Sequence, residues 1–387
     1  FTNTGTWEQR KLEDLGSFKN GMNFDKSAMG HGHPFINLQN IFGKTVVDDK
    51  DLGLAVSSEK QRNEYNLLKG DILFIRSSVK PEGVGEAALV PKNFENTTFS
   101  GFIIRFRPHI TIDDEFKRVI FATKTVRNQI MALATSSANT NINQISLGKI
   151  IIELPELSEQ SKIGNLFKQL DNAIALHQRK LDKAKELKSA YLSEMFPAEG
   201  ERKPKRRFAG FTDDWEQRKL SEMTEYKNGK GHEDKQRTHG KYELINLNSI
   251  SIDGGLKHSG KYIDDANETL KKYDLVMVLS DIGHGDLLGR VALIPEDNRF
   301  VLNQRVALLR PKSLFNPLFL FSYINQHQKY FKNQGAGMSQ LNISRGSVES
   351  FSSYVPSAEE QTKIGTFFKQ LDDTIALHQH KLEKLQN

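Results

Sequence analysis

The chain has 387 residues, 37 % hydrophobic and 26 % charged, with 54 Lys plus Arg against 48 Asp plus Glu and no cysteine. At about 150 residues per domain this length predicts two or three domains, and no apolar run approaches the roughly 18 residues of a membrane helix. The missing cysteines exclude disulfides, thiolate zinc sites and a thiol nucleophile, and a net charge of +6 permits a nucleic-acid partner without locating one.

The opening Phe1-Thr2-Asn3 carries no basic-then-apolar leader, so a cytoplasmic protein is expected. Trp7-Glu8-Gln9-Arg10-Lys11-Leu12 then returns letter for letter as Trp215-Glu216-Gln217-Arg218-Lys219-Leu220, and these hold the only two tryptophans. Fainter echoes follow in order. Lys19-Asn20-Gly21 matches Lys227-Asn228-Gly229, and Ile36-Asn37-Leu38 matches Ile245-Asn246-Leu247. Apolar runs at 71–75 and 275–279, bounded by turn formers, predict strands. GEAALVP at 85–91 faces GRVALIP at 289–295, Arg107-Pro108 faces Arg310-Pro311, and 116–133 and 318–331 show brief helical periodicity. A duplication with a shared architecture and different surfaces is expected: two α+β domains over 1–155 and 208–355.

Each domain is followed by a near-constant segment. Residues 159–181 return at 360–382 with 17 of 23 positions identical. Ile163, Phe167, Leu170, Ile174, His177, Leu181 and Ala184, then Ile364, Phe368, Leu371, Ile375, His378 and Leu382, recur at alternating spacings of four and three, the seam of a coiled coil. Pro155 and Pro356 precede the helices, and Ser357 with Glu360 has capping-box spacing. Helices are predicted over 156–197 and 356–387, about 55 Å long for 159–195. An apolar stripe of that length must be buried, and the twin helix is the obvious partner. Antiparallel pairing would give a pseudo-two-fold molecule like a dimer fused into one chain. Leu166, Ala173, Leu187, Tyr191 and Leu192 lie off the seam and suit either partner helices or their own domains.

Enzymatic motifs are incomplete. Gly43-Lys44-Thr45 resembles the end of a phosphate loop, but Leu38 stands where its first glycine belongs. Asn316-Pro317-Leu318-Phe319 falls one residue short of an adenine-gripping Asn-Pro-Pro-aromatic motif and reads as a helix start. Pro197, Glu199, Glu201 and Lys203 carry the letters of a metal nuclease but lie in a charged linker, 198–207, with no strand to hold them. His177 and His378, with His380 nearby, suit a polar register-setting pair better than a metal site. His31 and His33 are expected in a surface or DNA-facing loop. The linker stretch 201–207 carries five basic and one acidic side chain; with the helical segments and Glu199 also set aside, a net charge of only about +3 remains on the two domains together.

Taken together, the Trp-Glu-x-x-Lys-Leu openings, the Pro then Glu-Gln-x-Lys-Ile-Gly helices and the twofold duplication resemble the specificity subunit of type I restriction-modification systems, the HsdS family, across essentially the whole chain. The resemblance implies two target-recognition domains, each reading one half of a bipartite double-stranded DNA target. It implies that the helices act as a spacer and dock two methyltransferase subunits, with restriction subunits beyond them. It also implies a non-catalytic chain, with S-adenosylmethionine, ATP and Mg bound only by partner subunits. A duplicated coiled-coil scaffold that binds other proteins is the alternative. The chain lacks an initial Met and any match to Arg206-Arg207 before Phe208, as an incomplete N-terminus would.

Within that frame, base contacts are expected from polar residues in turns beside the echoed strands. In the first copy these are Arg76, Ser77, Ser78 and Lys80, with Asn139, Asn141, Asn143 and Gln144. In the second they are Ser280, Asp281, His284 and Asp286, with Ser339, Gln340, Asn342 and Arg345. Arg suits guanine, Asn and Gln suit adenine, and Asp accepts from cytosine, so the two sets predict different half-sites; ordinary solvated turns would show the same letters. Lys19, Asn20, Lys227, Asn228 and Arg105 or Arg305 are expected at phosphates, which position without specifying.

Overall fold

The computed structural model describes residues 7–136, 139–198, 200–282, 285–337 and 340–386. It comprises two compact units, Phe1–Ala175 and Leu176–Asn387, with the division inside the first long helix, Leu157–Glu194. Among the described residues no helix is long and apolar enough to cross a membrane.

The units share a mixed α/β topology, except that the first has an extra short strand, Thr135–Ser136, where the second, among the described residues, has only an isolated bridge from Ala336 to Asn342. In the first, an antiparallel sheet runs Gly16–Asn20, Ile103–Pro108, Ile72–Ile75, Ala87–Leu89; in the second it runs Thr224–Asn228, Val306–Pro311, Leu275–Val278, Val291–Leu293. Each unit adds a three-stranded sheet containing one parallel pair, Met29–Ile36 with Thr98–Phe99 or Tyr242–Ile245 with Phe300–Leu302. Ile72–Ile75 is apolar at every position because both faces are covered. Ile72 and Phe74 enter one core with Leu12, Phe106 and Ile130, whereas Leu73 and Ile75 enter another with Ile36 and Phe99. Leu275 and Met277 alternate with Val276 and Val278 in the same way.

The echoed motifs acquire physical reasons. Asp71 accepts two hydrogen bonds from Arg107, at 2.7 and 2.6 Å, and Asp274 accepts two from Arg310, at 2.8 and 2.7 Å, so one bidentate pair locks the start of the central strand in each unit. The strands of the Trp-Glu-x-x-Lys-Leu motif, Glu8–Lys11 and Glu216–Lys219, pair with Ile151–Leu154 and Ser352–Val355, the last strand before each long helix. Entry and exit of each domain are thereby tied together. Asn316 caps Pro317–Gln326 through Leu318 N and Phe319 N at 3.0 and 3.1 Å, as an Asn-Pro helix start requires.

The constant helices fasten to their domains by one repeated joint. Gln160 Nε2 donates to Pro155 O at 2.9 Å while its Oε1 accepts from Asp113 N at 3.0 Å; Gln361 does the same with Pro356 O at 2.9 Å and Asn316 N at 3.1 Å. Both glutamines are buried. One turn on, Gly164 and Gly365 bring the helix against the domain so closely that a Cβ would lie 2.8 Å from Phe116 N or 2.6 Å from Phe319 N.

Within the second unit, the end of Leu157–Glu194 packs antiparallel on Ala358–Gln386: His177 meets His378, Lys188 pairs with Asp372, and Tyr191 sets its ring edge-on to Phe367. Leu181, Ala184 and Leu382 are buried. The two imidazoles approach Nδ1 to Nδ1 at 2.9 Å, one donating and the other accepting. Among the described residues no group of three metal-ligating side chains accompanies them.

Several expectations need correction. Ile163, Ile364 and Phe368 pack into the cores of their own units rather than along a helix seam, and Phe167 is 41 % exposed. Phe368 is sealed because Phe196, just past the first helix, stacks on it at 5.8 Å. Tyr191 and Leu192 likewise rest on the second unit's core, while Leu166 and Leu187 stay exposed. Only half of the Ser357 capping box forms, since Glu360 turns away to a buried pair with Arg207 at 2.7 Å. Arg207 is therefore not a free linker charge. His31 and His33 lie in the strand Met29–Ile36, which bulges against Gly53–Ala55.

Gly365→Ala tests the joint. Alanine gains about 1 kcal/mol of helix propensity, yet the overpacked methyl is expected to cost more and to lower stability by a net ~1 kcal/mol or more. Urea unfolding reads this, and a raised midpoint would refute the close approach. The histidine pair makes a second prediction. Desolvation, then the neighbouring His177, Lys180 and Lys381, hold His378 below the ordinary imidazole range. The unfolded chain then takes up more protons as pH falls through about 6.5, so stability is highest above pH ~7 and declines toward pH ~5. Thermal melts should show that decline, and His378→Asn should flatten it.

Candidate nucleic-acid interface

The two polar turns of each unit lie side by side because short strands join them. In the first unit Ser77–Ser78 pairs with Thr140–Asn141, and Ile142 N donates to Arg76 O at 2.9 Å. In the second, Ser280–Asp281 pairs with Leu341–Asn342, and Ile343 N donates to Leu279 O at 2.9 Å. A further bond joins this ribbon to the central sheet: Arg76 N to Phe102 O at 2.7 Å, and Leu279 N to Arg305 O at 2.9 Å. The shared bonds fix the residue correspondence between the copies.

In the second unit these elements enclose a concavity of about 350 Å³ walled by Tyr226, Asn228, Ser280, Arg305, Asn342 and Arg345. Five of those six were singled out from sequence. Tyr226 was missed because nothing in a strand of alternating residues marks it. Its hydroxyl donates to Asn228 Oδ1 at 2.6 Å, and the Arg345 guanidinium lies over its ring, 5.1 Å from the centroid. Burial pushes the Tyr226 phenol up to about 12, so it is a neutral donor at physiological pH. Arg345 is held by Glu349 at 2.9 Å, which keeps its charge secure. In the first unit Phe18 occupies the Tyr226 position, and the buried Asn20 Oδ1 has no partner among the described residues.

The remaining candidates divide. Asn143 caps the short helix Gln144–Gly148 through Ser146 N at 2.8 Å, and Asp281 accepts from Leu287 N at 3.1 Å, so both shape turns. Asn141 and Asn342 turn their amides to the carbonyls of Asn139 and Gln340. Gln340 also bonds Ser280, whose hydroxyl donates to Asn342 Oδ1 at 2.8 Å. Ser78 is buried within the ribbon, and Lys80 is exposed beside it. Asp286 pairs with Lys332 at 2.6 Å. His284 and Ser339 lie outside the described residues. Lys19 pairs with Glu64 at 2.7 Å, and Lys227 with Glu268. Exposed pairs of this kind are worth about 0–1 kcal/mol, so an anion could displace either carboxylate.

Arg105 is a correction. It is buried at 7 % exposure, and its guanidinium is spent on the Asn66 carbonyl, so it cannot reach a phosphate. Desolvation lowers its pKa from the arginine norm. Its counterpart is Leu308, whereas Arg305 corresponds to Phe102. The Arg107-Pro108 and Arg310-Pro311 echo, read as a fixed offset, would have revealed this mismatch. Arg305 is exposed and holds a left-handed backbone at φ 65°, a strain that tends to collect at working sites.

The family model for the type I restriction modification DNA specificity domain matches residues 4–186 and 212–387. The chain belongs to that family, the specificity proteins of type I restriction-modification systems. It is 23 % identical over 392 aligned residues to a putative type I restriction enzyme MjaX specificity subunit of Methanocaldococcus jannaschii, covering 98 % of this chain and 90 % of that one. Its fold is similar to the type I restriction-modification S subunit of M. genitalium, with a TM-score of 0.61 at 17 % identity over 100 % of this chain and 94 % of that one. The HsdS subunit of Thermoanaerobacter tengcongensis is also similar, with a TM-score of 0.51 at 15 % identity over 100 % and 95 %.

Arg305→Gly should separate strain from function. Glycine relieves the left-handed backbone at no steric cost, so stability should rise by about 1 kcal/mol while DNA affinity falls. Denaturant titration and a binding titration check the pair of effects, and loss of stability would count against the strain.

Proposed function

We propose that this chain is the DNA-reading subunit of a type I restriction-modification enzyme, and that each unit reads one half of a bipartite target in duplex DNA. The observation that carries this reading is the ribbon beside the central sheet: one backbone frame built twice, furnished with different side chains. Identical frames with different polar groups suit two half-sites read by the same docking geometry. The long helices serve as the spacer between half-sites. Leu166, Leu176, Leu187 and Leu377, all exposed on those helices, offer apolar contacts for two methyltransferase subunits, through which restriction subunits join. In this reading S-adenosylmethionine, ATP and Mg act only in the partners, and the chain itself performs no catalysis. A solved chain similar to this one, at a TM-score of 0.54 and 14 % identity over 100 % of this chain and 96 % of that one, is described in terms of complex assembly and conformational transition of the type I R-M system.

Selection from randomised duplex DNA, with and without methyltransferase subunits, is the decisive experiment. Enrichment of one bipartite motif is expected; no enrichment from an assembled complex would favour a protein-binding scaffold. Four residues added to one long helix lengthen it by roughly 6 Å, about two base pairs at ~3.4 Å each. The selected motif should then gain spacer while keeping both half-sites, and altered half-site letters would sink the spacer role.

A further inference from the structure

The residue correspondence sorts the interface into positions that stay and positions that change. Asn20 and Asn228, Ser77 and Ser280, and Asn141 and Asn342 are unchanged between units, and several of them are consumed in holding the ribbon together. Gln144 and Arg345 occupy one changed position: each opens a short helix capped by the preceding residue, Asn143 or Ser344, one residue beyond the isoleucine bonded to Arg76 O or Leu279 O. The supporting residues change with it. Arg345 lies over Tyr226 and pairs with Glu349, whereas the first unit has Phe18 and Gly148 at those places. The second unit therefore carries an arginine that lies over a ring and is bonded on one side by a carboxylate. The first unit keeps a ring, Phe18, but carries a neutral amide and, with Gly148, no carboxylate beside it.

Resting on the DNA-reading role proposed above, we propose that Gln144 and Arg345 are equivalent base-reading residues that distinguish the two half-sites, Gln144 taking an adenine and Arg345 a guanine. A planar guanidinium with one edge held by Glu349 keeps its other edge for the O6 and N7 acceptors of guanine, a two-point contact that adenine's amino group opposes. A glutamine amide matches the donor and acceptor of adenine N6 and N7, needs no counter-charge, and meets repulsion at guanine O6. The fixed asparagines and serines position the ribbon, and the changed position specifies.

The test uses the full chain assembled with its methyltransferase subunits, comparing wild type, Arg345→Gln and Gln144→Arg by selection from randomised duplexes and by salt-dependent binding. Arg345→Gln should convert one guanine of a single half-site to adenine, with discrimination shifting on the order of 10- to 100-fold, and leave the other half-site intact. Gln144→Arg should change one adenine in the opposite half-site toward guanine. If Gln144→Arg does not assemble, Arg345→Gln decides alone, since it removes only an exposed side chain. Uniform weakening on all sequences, with the salt slope reduced by about one, would make Arg345 a phosphate contact and overturn the proposal. Wild type enriching no bipartite motif would instead overturn the DNA-reading role itself.

Discussion

Each long helix is held at its root by one glutamine that bonds both ways, accepting from the domain's backbone and donating to the carbonyl of the proline before the helix. Removing either glutamine would strand buried backbone groups at about 1–3 kcal/mol each. The glycine one turn later lets the helix come within backbone distance of Asp113–Phe116 or Asn316–Phe319. These requirements explain why Glu-Gln-x-Lys-Ile-Gly recurs while the domains around it diverge. The joint needs backbone atoms from the domain and little of its side-chain identity, so the loops far from it are free to vary.

Much of the architecture is legible in the sequence. The duplication, the buried central strands, the Asn-Pro helix start and the His177 with His378 pairing all follow from periodicity and repetition, which are local signals. The seam was legible only in part. Phe167 and Phe368 are the same letter in the same motif, yet one is 41 % exposed and the other fully buried, because Phe196 from elsewhere in the chain covers only the second. No periodicity reports such a neighbour. The site shows the same limit. The polar turns are visible as turns, but Tyr226 joins them only through cross-strand register, and although the Arg-Pro echo separates Arg105 from Arg305, only the structure shows that Arg105 is buried on the Asn66 carbonyl.

Charge is used differently in the two settings. Arg107 and Arg310 are each committed to a carboxylate buried at the start of a central strand, where the desolvation of Asp71 and Asp274 is offset by bidentate geometry and a backbone donor. Arg305 and Arg345 stand at the surface, one on a strained backbone and one lying over a ring. Counting basic residues would score all four alike, and only their partners and exposure separate the pair locked to buried carboxylates from the pair at the surface.

The two tryptophans that open the copies have another consequence. Trp215 is 3 % exposed beneath Phe196 and Phe319, whereas Trp7 is 37 % exposed with its ring edge toward Phe116. Since the chain holds no others, its tryptophan fluorescence is expected to combine a blue-shifted emitter in the apolar interior of the second unit with a red-shifted, partly hydrated one in the first. The protein therefore carries a built-in two-colour probe, and the loosening of one unit can be followed apart from the other without any label.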